Sequence, residues 1–229
     1  MGRRCLLVFT KPPVPGRVKT RLIGHLSAAA AAGLHQALLD DLVEALGGGR
    51  FTIRLLLALE SGETPPPAAA PVAAVLPQCG DDLGERLWNA LADAGRDHSL
   101  VAVVGSDLPG LDAATVEEAF DRLDDGDDVV LGPTADGGYY LLAIRAERLH
   151  PRLFAGVAWS TDRVLAQTMA RCDELGLRRS ALLRGRDVDL PQDLEWLEAC
   201  LREGRFASPR VADWLRRRQA STVAAPSGA

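Results

Sequence analysis

The segment CLLVFTKPPVPGRVKTRL, residues 5–22, joins an uninterrupted apolar run to a loop that is rich in proline and in cationic side chains. The apolar run at 5–9 predicts a buried strand of a parallel sheet, because a strand with one solvated face would alternate apolar and polar residues. The loop follows the carboxyl end of this strand, which is where open α/β sheets bind their ligands. We therefore predict an anion-binding loop with four cationic side chains, those of Lys11, Arg17, Lys19 and Arg21.

Strand-like and helix-like segments alternate along the rest of the chain. Further apolar runs predict strands at 51–59, 73–77, 100–105, 128–132, 139–144 and 180–183. Amphipathic or Ala/Leu-rich stretches predict helices at 27–46 and 82–94, after the cap residue Asp112, from the cap residue Ser160 to 175, and from Pro191 to 202. This order predicts an α/β fold with a mainly parallel central sheet and helices on both faces. We assign residues 1–218 to a single domain and expect a disordered tail at 219–229.

Composition restricts the class of protein. The net charge of −5 and the pI near 5.4 argue against a surface that tracks nucleic acid, so that any phosphate site must be local. The four cysteines lie far apart without a CxxC pair, which indicates free thiols rather than a zinc site or a disulfide framework. No apolar run approaches the roughly 20 residues of a membrane span. We expect a soluble cytoplasmic protein that binds neither nucleic acid nor membrane.

Acidic side chains at two places predict a metal site. Asp107 follows the apolar strand at 100–105, and its carboxylate is a hard oxygen ligand suited to Mg²⁺ or Mn²⁺ beside substrate phosphates. Asp187 and Asp189 would point the same way in an extended segment, so that one of them would complete the site. The alternatives stay open: Asp107 capping the next turn, and Asp189 capping the helix at Pro191.

The segment GPTADGGYY, residues 132–140, predicts a contact with a second substrate. Its two glycines, Gly137 and Gly138, allow a backbone to approach a ligand closely, and Asp136 and Tyr139 lie beside them. A plain hairpin turn is the alternative. Trp159 precedes a predicted helix, where its indole would either pack in the core or cover a ligand.

Several familiar motifs are absent from the sequence. The basic loop lacks the GxxxxGK[ST] spacing of a P-loop, and no strand is followed by GxGxxG. There is no GxSxG and no HExxH, and we expect the four scattered histidines at the surface. These absences weigh against P-loop NTPases, dehydrogenases, α/β-hydrolases and zinc proteases.

Five motifs taken in order resemble the DUF2064 family, a glycosyltransferase-like family associated with arsenosugar biosynthesis in some genomes. They are FTKPPVPGRVKTRL (9–22), QCGDDLGERL (78–87), GSDLP (105–109), GPTADGGYYL (132–141) and DVDLPQDL (187–194). The resemblance covers residues 5–203, and the wider kinship is with GT-A or nucleotide-diphospho-sugar transferase folds. Within it, KTRL (19–22) and DVDLPQDL are similar to segments of 2-phospholactate guanylyltransferases.

The resemblance implies a nucleotide-dependent transferase with Mg²⁺ or Mn²⁺ between a strand-end aspartate and the donor phosphates. Asp107 matches the metal position, and either Asp187 or Asp189 matches a second acidic position. The basic loop would lie over the nucleotide phosphates. The residues expected to bind the nucleotide are Thr10, Lys11, Gly16, Arg17, Lys19, Arg21, Asp81 and Ser106. For Asp81, at the start of a predicted helix, solvated capping is the alternative.

We expect glycosyl transfer from a nucleotide sugar to a small acceptor, with Asp107, Asp136 and Lys19 as the catalytic residues. Asp136 would act as the base on the acceptor side, and Gly137, Gly138, Tyr139 and Trp159 would contact the acceptor. The first alternative is a nucleotidyltransferase that uses a nucleoside triphosphate and a phosphorylated small molecule and releases pyrophosphate. The second is a nucleotide-binding partner protein without turnover. The base, the sugar and the oligomeric state are not predicted.

Overall fold

The computed structural model describes residues 3–223, the last three by their backbone alone. Seven strands form one central sheet with the spatial order β3-β2-β1-β4-β6-β5-β7. The strands are β1 (Arg4–Thr10), β2 (Thr52–Leu57), β3 (Val72–Pro77), β4 (Leu100–Gly105), β5 (Val129–Pro133), β6 (Tyr139–Arg145) and β7 (Arg179–Ala181). All seven residues of β1 are buried, as the apolar run at 5–9 predicts.

The sheet is mainly parallel, and one strand runs the other way. β1 pairs in parallel with β2 and β4, β2 with β3, and β5 with β7. β6 is antiparallel to both of its neighbours, β4 and β5. Its reversal follows from the short connection after β5, because only an antiparallel pair can be joined by a tight turn. The predicted α/β architecture is confirmed.

Six α-helices cover both faces of the sheet within the described residues. They are α1 (Ala28–Leu46), α2 (Leu83–Ala94), α3 (Ala113–Asp124), α4 (Val164–Glu174), α5 (Pro191–Arg202) and α6 (Pro209–Val223). One apolar core lies between the sheet and α1 and α3, a second between the sheet and α2 and α4, and a third joins α1 to α5 and α6. The predicted caps Ser27 and Asp112 accept hydrogen bonds from the backbone N–H groups of Ala30 and Thr115.

The register of the sheet places the two predicted ligand-binding loops side by side. Phe9 of β1 lies opposite Gly105 of β4, so both strands end at the same edge. The basic loop leaves β1 directly after Thr10, and Ser106 and Asp107 follow β4. The sheet therefore brings the loop cations and the strand-end carboxylate to one edge, as the sequence predicts.

The structure corrects three expectations about local structure. Ser160 does not cap a helix, because its backbone is left-handed, with φ 63°, and α4 begins later, at Val164. Residues 219–223 of the expected disordered tail belong to α6, and the remainder of that tail lies outside the described residues. His35 and His98 are buried rather than exposed.

The cysteines are free thiols, as predicted. Cys5, Cys172 and Cys200 are buried, whereas Cys79 is exposed in the connection between β3 and α2. Burial raises the pKa of the Cys5 and Cys172 thiols to about 11. Among residues 3–223, no helix combines the length and the apolar character needed to cross a bilayer.

Candidate functional site

Two adjoining cavities open at the carboxyl ends of β1 and β4. The first, here called the basic cavity, has a volume of about 490 Å³ and is lined by the basic loop, the end of β4 and the start of α2. The second, here called the acidic cavity, has a volume of about 560 Å³ and extends towards the turn between β5 and β6. Phe9, Gly105, Asp107 and Asp189 line both cavities, so the two form one continuous crevice.

Lys19 lies at the centre of this crevice and is already bound to the protein. Its Nζ lies 2.5 Å from Asp107 Oδ1 and 3.2 Å from Asp189 Oδ1, and it donates a 2.6 Å hydrogen bond to the Val188 carbonyl. The Lys19 side chain is 2% exposed. Burial alone would lower its pKa, but the carboxylates of Asp107 and Asp189 outweigh burial and raise it. Lys19, predicted to contact phosphate, lines the basic cavity and pairs with two carboxylates there.

Asp107 presents one carboxylate oxygen to the protein and the other to the crevice. Oδ1 is buried beside Lys19, in an ion-pair contact that lacks the alignment of a hydrogen bond. The side chain as a whole is 42% exposed, which leaves Oδ2 towards the crevice. Burial would raise the pKa of Asp107, but Lys19 and His35 outweigh it and hold the pKa below its usual range. Asp107 is therefore an ionised carboxylate with one oxygen available to a ligand.

The basic cavity holds three cations that are not committed to a carboxylate. Within the part of the chain that the structure describes, Lys11 and Arg21 form no ion pair, and Arg86 donates from Nε to the Gly80 carbonyl at 2.9 Å. Arg17, by contrast, is paired with Glu60 at 3.0 Å and with Glu63 at 2.7 Å. The sequence interpretation missed Arg86, although it belongs to the quoted QCGDDLGERL motif.

The acidic cavity has the opposite charge. Five aspartates line it, and Arg21 is the one cation among the described residues of its wall; the aspartates are Asp107, Asp136, Asp162, Asp187 and Asp189. Burial, and then the neighbouring carboxylates, raise the pKa of Asp187 to about 7. Val188 is fully buried between two cavity-lining aspartates, which confirms that Asp187 and Asp189 point the same way.

The three predicted metal ligands do not form a ready-made site. Within residues 3–223, no three Asp, Glu, His or Cys side chains converge as a metal-binding group. The reason is that the Lys19 ammonium lies against Oδ1 of both Asp107 and Asp189. The crevice nevertheless fits Mg²⁺ or Mn²⁺, because Mg²⁺ is usually held by one or two carboxylates together with substrate phosphates. Asp107 Oδ2 and the Asp187 carboxylate are the groups that would serve.

Asp136 belongs to the turn between β5 and β6. Its Oδ1 accepts a 2.5 Å hydrogen bond from Thr134 Oγ1 and a 3.1 Å hydrogen bond from the Gly138 N–H. Gly137 has φ 88°, and a Cβ at this position would overlap the Asp162 carbonyl. The need for glycine at 137 is therefore explained by packing rather than by the predicted acceptor contact. Gly138, by contrast, lines the acidic cavity.

The two predicted aromatic contacts both lie in the wall of the acidic cavity. The Tyr139 hydroxyl is buried without a hydrogen bond, and burial raises its pKa. Trp159 packs its indole against Gly84 at the start of α2, where a Cβ would come within 2.6 Å of Nε1. Both side chains thus present aromatic ring surface to the cavity. Neither forms a side-chain hydrogen bond within the described residues.

The remaining predicted residues divide into two groups. Thr10 and Ser106 are buried and joined by a 2.8 Å hydrogen bond between their hydroxyl oxygens, and both line the basic cavity. Asp81 and Gly16 line neither cavity. The Asp81 N–H donates to Glu85 at the start of α2, and Gly16 supplies a turn with φ 83°. These two residues are therefore not brought into the crevice.

A larger cavity of about 850 Å³ adjoins the basic loop at Lys11, Pro12 and Pro13 and extends between α1, β2, β3 and the proline-rich segment at 61–71. Its wall is mostly apolar, with side chains such as Leu39, Val43, Leu55 and Val72. It exists because the β2–β3 connection contains no helix to cover this part of the sheet. We place the candidate site in the crevice, since charged groups from several strand ends converge only there among these cavities.

The sequence of residues 33–161 matches a family described as "Uncharacterized protein conserved in bacteria (DUF2064)". The chain belongs to this family. The matched part contains Asp107, Asp136 and Trp159, and the basic loop precedes it. The family assignment made from the motifs is thus confirmed.

The fold is also that of solved transferases. A protein of Desulfovibrio desulfuricans G20, provisionally assigned as a nucleotide-diphospho-sugar transferase, is 29% identical, with a TM-score of 0.83 and 96% of each chain covered. A cytidylyltransferase from Leptospira borgpetersenii serovar Hardjo-bovis is 15% identical, with a TM-score of 0.58 and coverage of 100% of this chain and 99% of its own.

A third solved structure, a 4-diphosphocytidyl-2C-methyl-D-erythritol synthase, is 16% identical, with a TM-score of 0.54 and coverage of 88% of this chain and 99% of its own. No curated protein matches the sequence. The solved neighbours are transferases, and the prediction of a transferase is confirmed at the level of enzyme class.

Proposed function

We propose that this protein transfers a glycosyl group from a nucleotide sugar to a hydroxyl group of a small acceptor. The observation that carries the proposal is the crevice itself, in which a basic and an acidic cavity meet at Asp107. A nucleotide sugar matches these two cavities, since its anionic diphosphate suits the basic cavity and its neutral sugar suits the acidic cavity. The 29% identical protein of the nucleotide-diphospho-sugar transferase class supports this choice.

The donor phosphates are assigned to the basic cavity. Lys11, Arg21 and Arg86 are the cations there without a carboxylate partner among the described residues. Guanidinium groups suit phosphate because they present several N–H donors in a planar fork. The proline-rich loop also limits the conformational entropy that it loses on binding, since Pro12, Pro13 and Pro15 restrict it beforehand.

The acceptor and the transferred sugar are assigned to the acidic cavity. Five aspartates and one arginine would repel a phosphorylated acceptor, whereas sugar hydroxyls can donate hydrogen bonds to carboxylates. Ring surface from Tyr139 and Trp159 is available on the same wall. This charge distribution favours glycosyl transfer over the transfer of a nucleotidyl group to a phosphorylated small molecule.

The reaction forms one bond and breaks another. An acceptor oxygen bonds to the anomeric carbon while the bond from that carbon to the donor phosphate breaks, and the electron pair leaves with the nucleoside diphosphate. The hydroxyl proton passes to Asp136, whose Oδ2 remains available because Oδ1 holds the turn. Arg21 lines both cavities and would stabilise the charge that develops on the leaving phosphate.

Asp107 Oδ2 and Asp187 are the groups proposed to hold Mg²⁺ or Mn²⁺. A divalent ion there would neutralise part of the diphosphate charge. Lys19 contributes indirectly, since it keeps the Asp107 carboxylate ionised and fixed in position.

A nucleotidyltransferase is the second candidate. Three uncommitted cations in the basic cavity would also suit a nucleoside triphosphate. In that case the β- and γ-phosphates would leave as pyrophosphate, and the acceptor would have to be uncharged to enter the acidic cavity.

The test is a thermal-shift panel of nucleoside diphosphate sugars and nucleoside triphosphates, with and without Mn²⁺, followed by product analysis. We expect a Mn²⁺-dependent stabilisation by one nucleotide sugar and release of the nucleoside diphosphate. Asp107→Asn is expected to abolish the Mn²⁺-dependent part of the shift. Arg205→Ala, which removes an exposed cation paired with Glu203, is the control and should leave it unchanged.

Two results would contradict the proposal. Release of pyrophosphate from a triphosphate would identify a nucleotidyltransferase. Binding without any product, over a broad set of hydroxylated acceptors, would favour the nucleotide-binding partner protein.

A further inference from the structure

A buried histidine links the two strand ends of the crevice. His35 lies in α1, and its side chain is 5% exposed. Its Nε2 lies 3.0 Å from the Lys11 carbonyl oxygen and 3.1 Å from Thr10 Oγ1. Thr10 is in turn bonded to Ser106, the residue before Asp107. The histidine thus contacts the first residue of the basic loop, and through Thr10 and Ser106 it is connected to the end of β4.

The hydrogen-bond partners identify which ring nitrogen carries a proton. A carbonyl oxygen can only accept, so Nε2 must donate to Lys11. The other nitrogen, Nδ1, is buried without a hydrogen-bond partner among the described residues and lies 3.7 Å from Asp107 Oδ1. A buried nitrogen without a hydrogen bond destabilises the fold. Its position against the strand-end carboxylate therefore calls for an explanation other than core packing.

Two side chains enclose one oxygen of the Asp107 carboxylate. Lys19 Nζ and His35 Nδ1 both face Oδ1, at 2.5 Å and 3.7 Å. Lys19 belongs to the end of the basic loop, and His35 is bonded to its beginning through Lys11. With Oδ1 enclosed in this way, rotation of the carboxylate is restricted and Oδ2 stays towards the crevice.

We infer that His35 is a positioning residue, which couples the entry of the basic loop to the orientation of Asp107 and so keeps Oδ2 directed at a divalent cation bound with the donor phosphates. The inference rests on the proposed function for the cation and the donor, but its structural part does not depend on them. His35 lines the basic cavity, but its two ring nitrogens face Lys11 and Asp107. Its effect is transmitted through Lys11 on one side and Asp107 on the other.

Two substitutions separate the two contacts of His35. In His35→Gln the amide nitrogen can replace Nε2 as a donor to Lys11, but nothing replaces Nδ1 beside Asp107. In His35→Asn the shorter amide can replace Nδ1, and the bond to the loop is lost. A histidine that only filled the core would give similar results in both variants, because each loses ring volume.

The first measurement is the Mn²⁺ concentration that gives half of the thermal shift in the presence of UDP, GDP or CDP. We expect His35→Gln to raise this concentration about tenfold, the cost of about 1.4 kcal/mol in cation binding, with nucleotide binding in EDTA unchanged. His35→Asn should weaken nucleotide binding with and without Mn²⁺. A change below about twofold in the Mn²⁺ requirement of His35→Gln would overturn the inference.

The second measurement needs no ligand and therefore distinguishes failure of this inference from failure of the proposed function. Thermal midpoints are compared for His35→Gln, Asp107→Asn and the double variant. We expect the double variant to lose several degrees less in thermal midpoint than the two single variants lose together, because the effects of substitutions at contacting residues are not additive. Asp41→Asn is the control, since Asp41 lies on the same helix but bonds to Ser208 and α6. Strict additivity of His35→Gln and Asp107→Asn would overturn the positioning role.

Discussion

The basic cavity and the acidic cavity meet at Asp107, and they differ in how part of their charge is neutralised within the protein. Two of the cations in the basic cavity are already neutralised, Lys19 by Asp107 and Asp189 and Arg17 by Glu60 and Glu63. In the acidic cavity, Asp107 and Asp189 share the single Lys19 ammonium, whereas Asp162 and Asp187 form no ion pair within the described residues. The charge that a ligand meets is therefore smaller in both cavities than a count of side chains suggests.

The difference arises from the way in which each cavity is built. The basic loop leaves the sheet, so its side chains can turn back and bind carboxylates from distant segments, as Lys19 does with Asp189, 170 residues away. The aspartates at 187 and 189 are fixed by the buried Val188 between them. Neutralised cations shape the crevice, and uncommitted charges are left for the ligand.

The largest effect on turnover is expected from Asp136→Asn. If Asp136 accepts the acceptor proton, kcat should fall about 100-fold or more, because general bases contribute about 10²–10⁴-fold. Asparagine retains Oδ1, which holds Thr134 and Gly138, so the turn should survive. Initial rates with saturating donor check this.

Asp162→Asn is the matched control for the acidic cavity, because it removes a charge from the same wall. Its kcat should stay within about threefold of wild type, since Asp162 acts only through its field at a partly solvated position. Equal losses in the two variants would mean that the acidic cavity acts through total charge and that Asp136 has no special role.

Lys19→Met tests whether the central cation stabilises the protein. We expect the free energy of unfolding to fall by about 2 kcal/mol, because Asp107 and Asp189 would face each other unpaired. Removing one partner of a fully buried ion pair costs about 3–5 kcal/mol. We expect a smaller loss here because the two carboxylates are 42% and 40% exposed and solvent screens them. Urea unfolding measures the change. Unchanged stability with lost nucleotide binding would restore Lys19 as a phosphate ligand.

The smallest effects concern two arginines of the basic loop. Arg21→Ala should raise the Kd of the donor nucleotide about tenfold, the loss of one hydrogen bond to a charged group. Arg17→Ala should raise it about twofold or less, because Arg17 is paired with Glu60 and Glu63. Calorimetric titration with the nucleotide distinguishes the two. A larger effect of Arg17→Ala would show that its ion pairs open on binding.

The sequence predicted most of the scaffold of the crevice, because that scaffold depends on local signals. The apolar runs located β1 and β4, and the parallel sheet then required their ends to be adjacent. The alternation of Asp187, Val188 and Asp189 correctly placed both aspartates in one cavity.

The sequence did not predict contacts between distant segments. His35 is a single polar residue in an Ala- and Leu-rich helix, and only the packing of α1 against the end of β1 brings it to Lys11 and Asp107. Arg17 and Lys19 have the composition of a phosphate loop, and their carboxylate partners lie far away in the chain. Ser160 was taken for a helix cap on residue type alone, and its left-handed backbone excludes that role.

The exposed Cys79 gives this protein a built-in site for a spectroscopic label. The other three thiols are buried, and burial raises the pKa of two of them to about 11, so a thiol-reactive dye at neutral pH should attach to Cys79 alone. Its neighbour Gln78 lines the basic cavity. A fluorophore on the unaltered chain would therefore report nucleotide entry directly, without cysteine engineering and whichever acceptor the enzyme uses.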